Sequence, residues 1–417
     1  MSDLTAPPLP HRLARSLRAR LGAVRAWPLL SADALREQLH TRGGYPADPG
    51  HRPHLFAALG WLERAQDAAG GEGIARGYSL VWNPWFRSRG WQPAYPETTG
   101  YIIPTLLTAA RRLSRPGLAG RALRAARWES AVQMECGAVQ GGTTGEPPTP
   151  AVFNTGQVIL GWLAALEETG DESFAAAARR AVRWLVSVEH DGRFERGESR
   201  YARAGATAYN ARTAWAMAEA GEALGEPAAR DAAARVLRAV ASAQHADGWF
   251  PACCLNDPQR PLLHTLAYTA RGLVEGGRVL GDDALLRAGA KAAGAIAAAV
   301  DGRGWLPGRF AAGWAPAARW SCLTGQAQMA NIWLRLDEIR GTGRWREPAR
   351  RVLAFVKTTQ DRAAPAPGVR GGIAGSWPAG GEYGRWEMLS WAAKFFADAL
   401  MRDDAAGGDG PAVSRLA

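Results

Sequence analysis

Tyr95-Pro96-Glu97-Thr98-Thr99-Gly100-Tyr101-Ile102-Ile103-Pro104-Thr105-Leu106-Leu107 joins a short polar turn to a helical apolar stripe and sets one carboxylate at the junction. Weaker copies return at Phe153-Asn154-Thr155-Gly156-Gln157, Tyr209-Asn210-Ala211-Arg212-Thr213 and Leu263-His264-Thr265-Leu266-Ala267-Tyr268. Two more follow at Ser321-Cys322-Leu323-Thr324-Gly325-Gln326 and Tyr383-Gly384-Arg385-Trp386-Glu387. Aligned at residues 100, 156, 212, 266, 325 and 385, the copies are spaced by 56, 56, 54, 59 and 60 residues. Near-constant spacing marks an internal repeat. Asp-Gly turns at 191, 247 and 301, spaced by 56 and 54, keep the same phase.

Between these turns the apolar residues recur at helical spacing. Inner helices are expected at 99–112, 155–169, 211–224, 264–280, 324–340 and 385–401. Outer helices are expected at 54–69, 121–135, 173–190, 228–246, 283–299 and 345–360. Small residues such as Gly161 and Gly272 allow close helix contact, and β-branched alternation is nearly absent. Six helical hairpins close most naturally into an all-α (α/α)6 toroid, with an inner and an outer helix ring; an open solenoid is the alternative. The expected organisation is a basic lead-in over 1–53, the toroid over 54–401 and a flexible C-terminal tail over 402–417.

The net charge of +11 rests almost entirely on arginine, spread over most helices, with lysine only at 291, 357 and 394. That spread argues against a nucleic-acid partner, which needs a concentrated basic face. The densest basic run, residues 11–20, suits an acidic surface or membrane headgroups instead. The four cysteines form no CxxC pair, and the sequence has no uninterrupted apolar stretch of membrane-spanning length. With no apolar signal segment in the given sequence, the expected compartment is the cytoplasm.

In a toroid the polar turns at the inner helix N-termini converge on one central cavity, where the helix dipoles favour anionic groups. Glu97 is the first candidate for catalysis, because a carboxyl in an aromatic pocket is pushed toward its acid form. Glu387, at the sixth turn, offers a second carboxylate, as a glycosidic-bond mechanism uses. His264, Tyr209 and Arg212 are supporting candidates for proton transfer or carboxylate polarisation. Tyr95, Tyr101, Asn154, Gln157, Tyr268, Arg319, Gln326 and Tyr383 share the same turns and are expected to bind substrate. Trp82, Trp91, Trp249, Trp305, Trp320 and Trp386 lie in loops and turns, where indoles stack on sugar rings or pin loops. No metal or cofactor is expected, since no ligand pair has a metal-site spacing.

The helix–turn–helix repeat with aromatic loops resembles the six-hairpin toroid superfamilies over about 54–401: six-hairpin glycosidases, polysaccharide lyases and the terpenoid cyclase and prenyltransferase-like group. The string from Tyr95 to Thr105 is similar to a motif of bacterial exopolysaccharide-biosynthesis proteins, the VpsJ-like group. The cyclase groups' acidic and zinc-binding motifs are missing. The resemblance implies a carbohydrate-active protein of polysaccharide metabolism, binding an oligosaccharide or uronate by hydrolase or lyase chemistry. The alternatives are a non-catalytic scaffold of exopolysaccharide assembly and an isoprenoid-handling protein. Implied partners are a glycan substrate, polysaccharide-assembly proteins or, through the basic N-terminus, a membrane surface.

Overall fold

A computed structural model describes residues 26–197, 205, 207–407 and 411–417. The basic run at 11–20 lies outside these residues. A short helix α1 (Ala32–His40), capped by the Ser31 hydroxyl, precedes the ring. The outer helices are α2 (Arg52–Ala68), α4 (Pro116–Val132), α6 (Glu172–Val188), α8 (Pro227–Ser242), α10 (Asp283–Ala298) and α12 (Arg346–Thr358). The inner helices are α3 (Pro96–Arg112), α5 (Val152–Thr169), α7 (Ala211–Leu224), α9 (Leu263–Leu280), α11 (Leu323–Arg340) and α13 (Ser390–Ala405).

Consecutive inner helices pack side by side, and α13 packs on both α3 and α2, so the ring is closed and not an open solenoid. Closure is staggered: the last inner helix takes the first outer helix as its hairpin partner.

Glycine sets the spacing of the inner ring. A Cβ on Gly161 of α5 would lie 2.4 Å from the Gly100 carbonyl oxygen of α3, so the two backbones touch only because that carbon is missing. The indoles of Trp61, Trp162, Trp215 and Trp333, each on a ring helix, are fully buried in the core.

Two expectations need correction. Strands are present: β1 (Gly77–Asn83), β2 (Ser88–Trp91) and β3 (Glu387–Leu389) form an antiparallel sheet in the order β2-β1-β3. Ser79 pairs with Glu387 in that sheet. The tyrosine, valine and tryptophan of Gly77-Tyr78-Ser79-Leu80-Val81-Trp82-Asn83 favour a strand locally, but the segment is too short to stand out against the helical repeat. The C-terminal stretch is also not a free tail among the described residues. The helix continues to Ala405, and Leu416 and Ala417 are buried across the end of the barrel opposite the polar turns. There Arg271 Nη2 donates to the carbonyls of Arg415 and Ala417, and Arg402 Nη2 to that of Ser414.

The barrel interior between its two ends carries charge. Lys394 and Asp398 pair at 2.6 Å with both side chains fully buried, and burial pushes the Lys394 ammonium down to about 8. Lower down, Glu275 accepts from Arg335 and Arg278 and faces Arg271; against the cost of burial, these guanidiniums hold its carboxyl down at about 2.

Candidate functional site

The inner helix N-termini and the β-sheet enclose a cavity of about 320 Å³. Its wall includes Tyr95 and Glu97 at the start of α3, Phe153 on α5, Tyr209 just before α7, His264 and Tyr268 on α9, and Tyr383, Glu387 and Trp391 at α13. The hairpin of β1 and β2 adds Arg76, Asn83, Trp85 and Phe86, and the loop after α4 adds Thr143 and Glu146.

Glu97 sits in the first turn of α3 and lines the cavity. The Tyr95 hydroxyl donates to its Oε2. Burial pushes Glu97 up to about 7; the Tyr95 hydrogen bond and the positive charges of Arg76 and Arg212 work against that rise. Near neutral pH this carboxyl therefore exists in both forms.

Glu387 also faces the cavity, but its oxygens are taken. Asn83 Nδ2 and Gln92 Nε2 donate to Oε1 at 2.6 and 2.7 Å, and Arg76 Nη1 donates to Oε2 at 3.0 Å. Burial opposes the Arg76 charge, but Glu387 more than offsets this and raises its pKa. The guanidinium also lies over the rings of Phe86 and Trp391. The third carboxylate, Glu146, accepts at Oε1 from the Thr143 amide and hydroxyl and from the Trp85 indole.

His264 is held between the rings of Tyr268 and Tyr383, with centroids at 4.3 and 5.1 Å. Its Nδ1 lies 2.7 Å from Gln328 Oε1, an acceptor, which assigns the proton to Nδ1 and leaves Nε2 as an acceptor. Burial pushes the imidazole down to about 3, with Gln328 pulling it back and Arg212 adding to the drop. It is neutral at any ordinary pH.

Arg212 is not in the cavity wall. It lies beneath it, its Nε donating to Gln157 Oε1 at 2.6 Å and its guanidinium ringed by Tyr101, Trp215, Tyr268 and Phe395. Burial lowers its pKa, and its charge still reaches Glu97 and His264 through the barrel.

The expected binding residues divide. Tyr95, Tyr268 and Tyr383 line the cavity. Tyr101, Gln157 and Gln326 are buried in the barrel, and Asn154 is tied by its Nδ2 to the Gln140 carbonyl. Trp91 packs on Trp61 and Tyr78, Trp249 stacks edge-on with Trp314, and Trp320 is buried beneath Gly308 and Gly381. Trp82 sits half-buried in β1 outside the cavity wall. Trp305, Arg319 and Trp386 line grooves outside the cavity. These indoles left the predicted basin because an indole next to an apolar wall gains more by covering it than by facing water. Sequence reasoning missed Arg76, Asn83, Phe86, Phe153, Glu146 and Trp391; only the strand-like 77–91 segment carried a usable signal, for Asn83 and Phe86.

Among the described residues no cluster of three His, Cys, Asp or Glu side chains is placed to hold a metal ion, and no helix is long and apolar enough to cross a membrane.

No protein-family model matches the chain, and neither does any curated protein. Solved structures do match. An unsaturated glucuronyl hydrolase specific for heparin superposes with a TM-score of 0.67 at 15% identity, covering 86% of this chain and 97% of its own. A sugar epimerase from a ruminal bacterium gives 0.66 at 14% identity, covering 86% and 98%. Cellobiose 2-epimerase from Bacillus thermoamylovorans gives 0.64 at 11% identity, covering 84% and 98%. At such identities the likeness is one of fold, and the fold is a closed (α/α)6 toroid.

Proposed function

We propose that the protein is a carbohydrate-active hydrolase that takes a uronate-bearing oligosaccharide into the toroid cavity, with Glu97 as its general acid and base. The observation that carries this reading is the Glu97 carboxyl on the cavity wall, pushed up to about 7 beside the Tyr95 hydroxyl. A group with a pKa near the working pH can both give and recover a proton. Glu97 would protonate the leaving oxygen, and its carboxylate would then take a proton from the water that adds.

Three features support the substrate class. The cavity is at the small end of ligand pockets, roughly 300–1,000 Å³, which suits one or two sugar rings. Its Tyr, Phe and Trp walls suit sugar faces. The helix N-termini around it favour a carboxylate on the sugar. Glu387 and Glu146, each engaged by three donors, favour a mechanism with one proton-carrying carboxyl over one with a matched pair. We assign Glu387 to positioning Arg76 and the hairpin.

Two of the structural neighbours are sugar epimerases, a chemistry that needs a base at carbon. A His264 imidazole at about 3 is too weak a base for that near neutral pH, so hydrolysis is the better reading. The similarity of the Tyr95–Thr105 string to exopolysaccharide-cluster proteins supports an acidic bacterial polysaccharide as the source of the substrate.

The test is Glu97→Gln against uronate-ended oligosaccharides, with product formation and ligand-induced thermal shift both measured. Turnover should fall by about 10²–10⁴ while the thermal shift persists. Full turnover by the variant would remove Glu97 from the chemistry.

A further inference from the structure

Outside the cavity, two grooves meet between α1 and the segment 376–387, sharing Thr41, Arg42 and Pro378. One, of about 430 Å³, is lined by Arg42, Arg303, Arg319, Trp305 and Trp377; the other, of about 550 Å³, continues it past Leu39 to Trp386. Neither lining contains an Asp or Glu. Among the described residues Arg42 and Arg319 have no ion-pair partner, and Arg303 meets only Asp301, at 3.3 Å. Leu39 is 80% exposed at the mouth.

The trough and the cavity share a wall. Segment 376–387 turns Tyr383 and Glu387 into the cavity and Trp377, Pro378, Gly380 and Trp386 into the trough. The sharp turn that permits this runs through Gly384 and Trp386, both at positive φ (55° and 60°).

We propose that this trough is a second binding site, for the distal residues of an extended anionic glycan whose end occupies the cavity. The guanidiniums of Arg42 and Arg319, with Arg303 and the indoles of Trp305 and Trp377 in the same lining, match a polymer that repeats carboxylates and sugar rings. Arginine forks bind carboxylates in two-point fashion, and indoles cover the apolar faces of the rings. The inference rests on the proposed function for the uronate glycan and for its end lying in the cavity.

Titration calorimetry on Glu97→Gln protein separates binding from turnover. The probes are an α-1,4-galacturonate decamer, the corresponding dimer and maltodecaose. Arg42→Ala/Arg303→Ala/Arg319→Ala changes three exposed side chains and should leave the unfolding midpoint in place. It should weaken the charged decamer about tenfold and flatten the salt dependence of its binding, with the dimer unaffected. Trp305→Ala should weaken both decamers. Equal affinity of the triple variant and its parent for the charged decamer would overturn the proposal. So would equal binding of charged and neutral decamers by the parent. Neither outcome bears on whether Glu97 carries the chemistry, which the turnover assay decides separately.

Discussion

Tyr95→Phe removes one hydroxyl from the candidate site and keeps the ring, which packs edge-on against Trp391. That hydroxyl donates to Glu97 and favours its ionised form, so its loss must raise the Glu97 pKa. A hydrogen bond to a charged group is worth about 1.5–3 kcal/mol, and about 1.36 kcal/mol corresponds to one pH unit. The midpoint should therefore move from about 7 upward by about one to two pH units. Glu97 opens onto a cavity that water can enter, so the lower end of that range is expected. A general acid works while protonated: activity is present below the midpoint and lost above it, so the variant should stay active to higher pH. The assay is the pH profile of kcat/KM for wild type and Tyr95→Phe between pH 5 and 9.5. An unmoved alkaline limb, or one that moves to lower pH, would refute the coupling.

Other predictions concern stability. Lys394→Met leaves the fully buried Asp398 without its counter-charge, which costs about 3–5 kcal/mol. Lys394→Met/Asp398→Leu should recover most of that loss in urea unfolding, and failure to recover would mean the pair does more than neutralise itself. Glu129 on α4 is fully buried with no hydrogen-bond partner for either oxygen, and burial holds its pKa well above the usual carboxylate range. The unfolded chain releases this proton near pH ~4.3 while the folded chain keeps it, so the group lowers stability increasingly as pH rises above that point. Glu129→Met should stabilise by about 1–3 kcal/mol at neutral pH and by less at pH 4. Parallel melting curves at both pH values would contradict the assignment.

The ring was legible because it repeats. A turn that recurs six times averages out local ambiguity, and the phase of the Asp-Gly turns checks it independently. The same logic placed Glu97, His264, Tyr209, Tyr268 and Tyr383 in the cavity, since each sits in or beside one of the recurring turns that lead into the inner helices. The parts outside the repeat were illegible. Arg76 just precedes β1 and Asn83 ends it, outside the recurring turns, and they pair with Glu387 across 311 and 304 positions of chain. No local pattern encodes such a pairing. Indole placement failed for a different reason: Trp91 ends β2 and Trp305 lies in a loop, and only the third dimension decides which wall each segment presents.

The staggered closure has a consequence for how the protein is made. The ligands of the Glu387 carboxylate are translated long before Glu387 itself, 311 residues separating it from Arg76. At about 5–20 residues per second the ribosome needs about 15–60 s to cover that distance. Throughout this interval the nascent chain is an arc whose first helices, α2 and α3, still lack the partner that covers their flank. The arc can grow repeat by repeat, but the cavity wall, the hairpin and the ring all become complete in one late event, when α13 docks. A stalled or truncated chain would thus carry five well-formed hairpins, an uncovered apolar edge and no binding site.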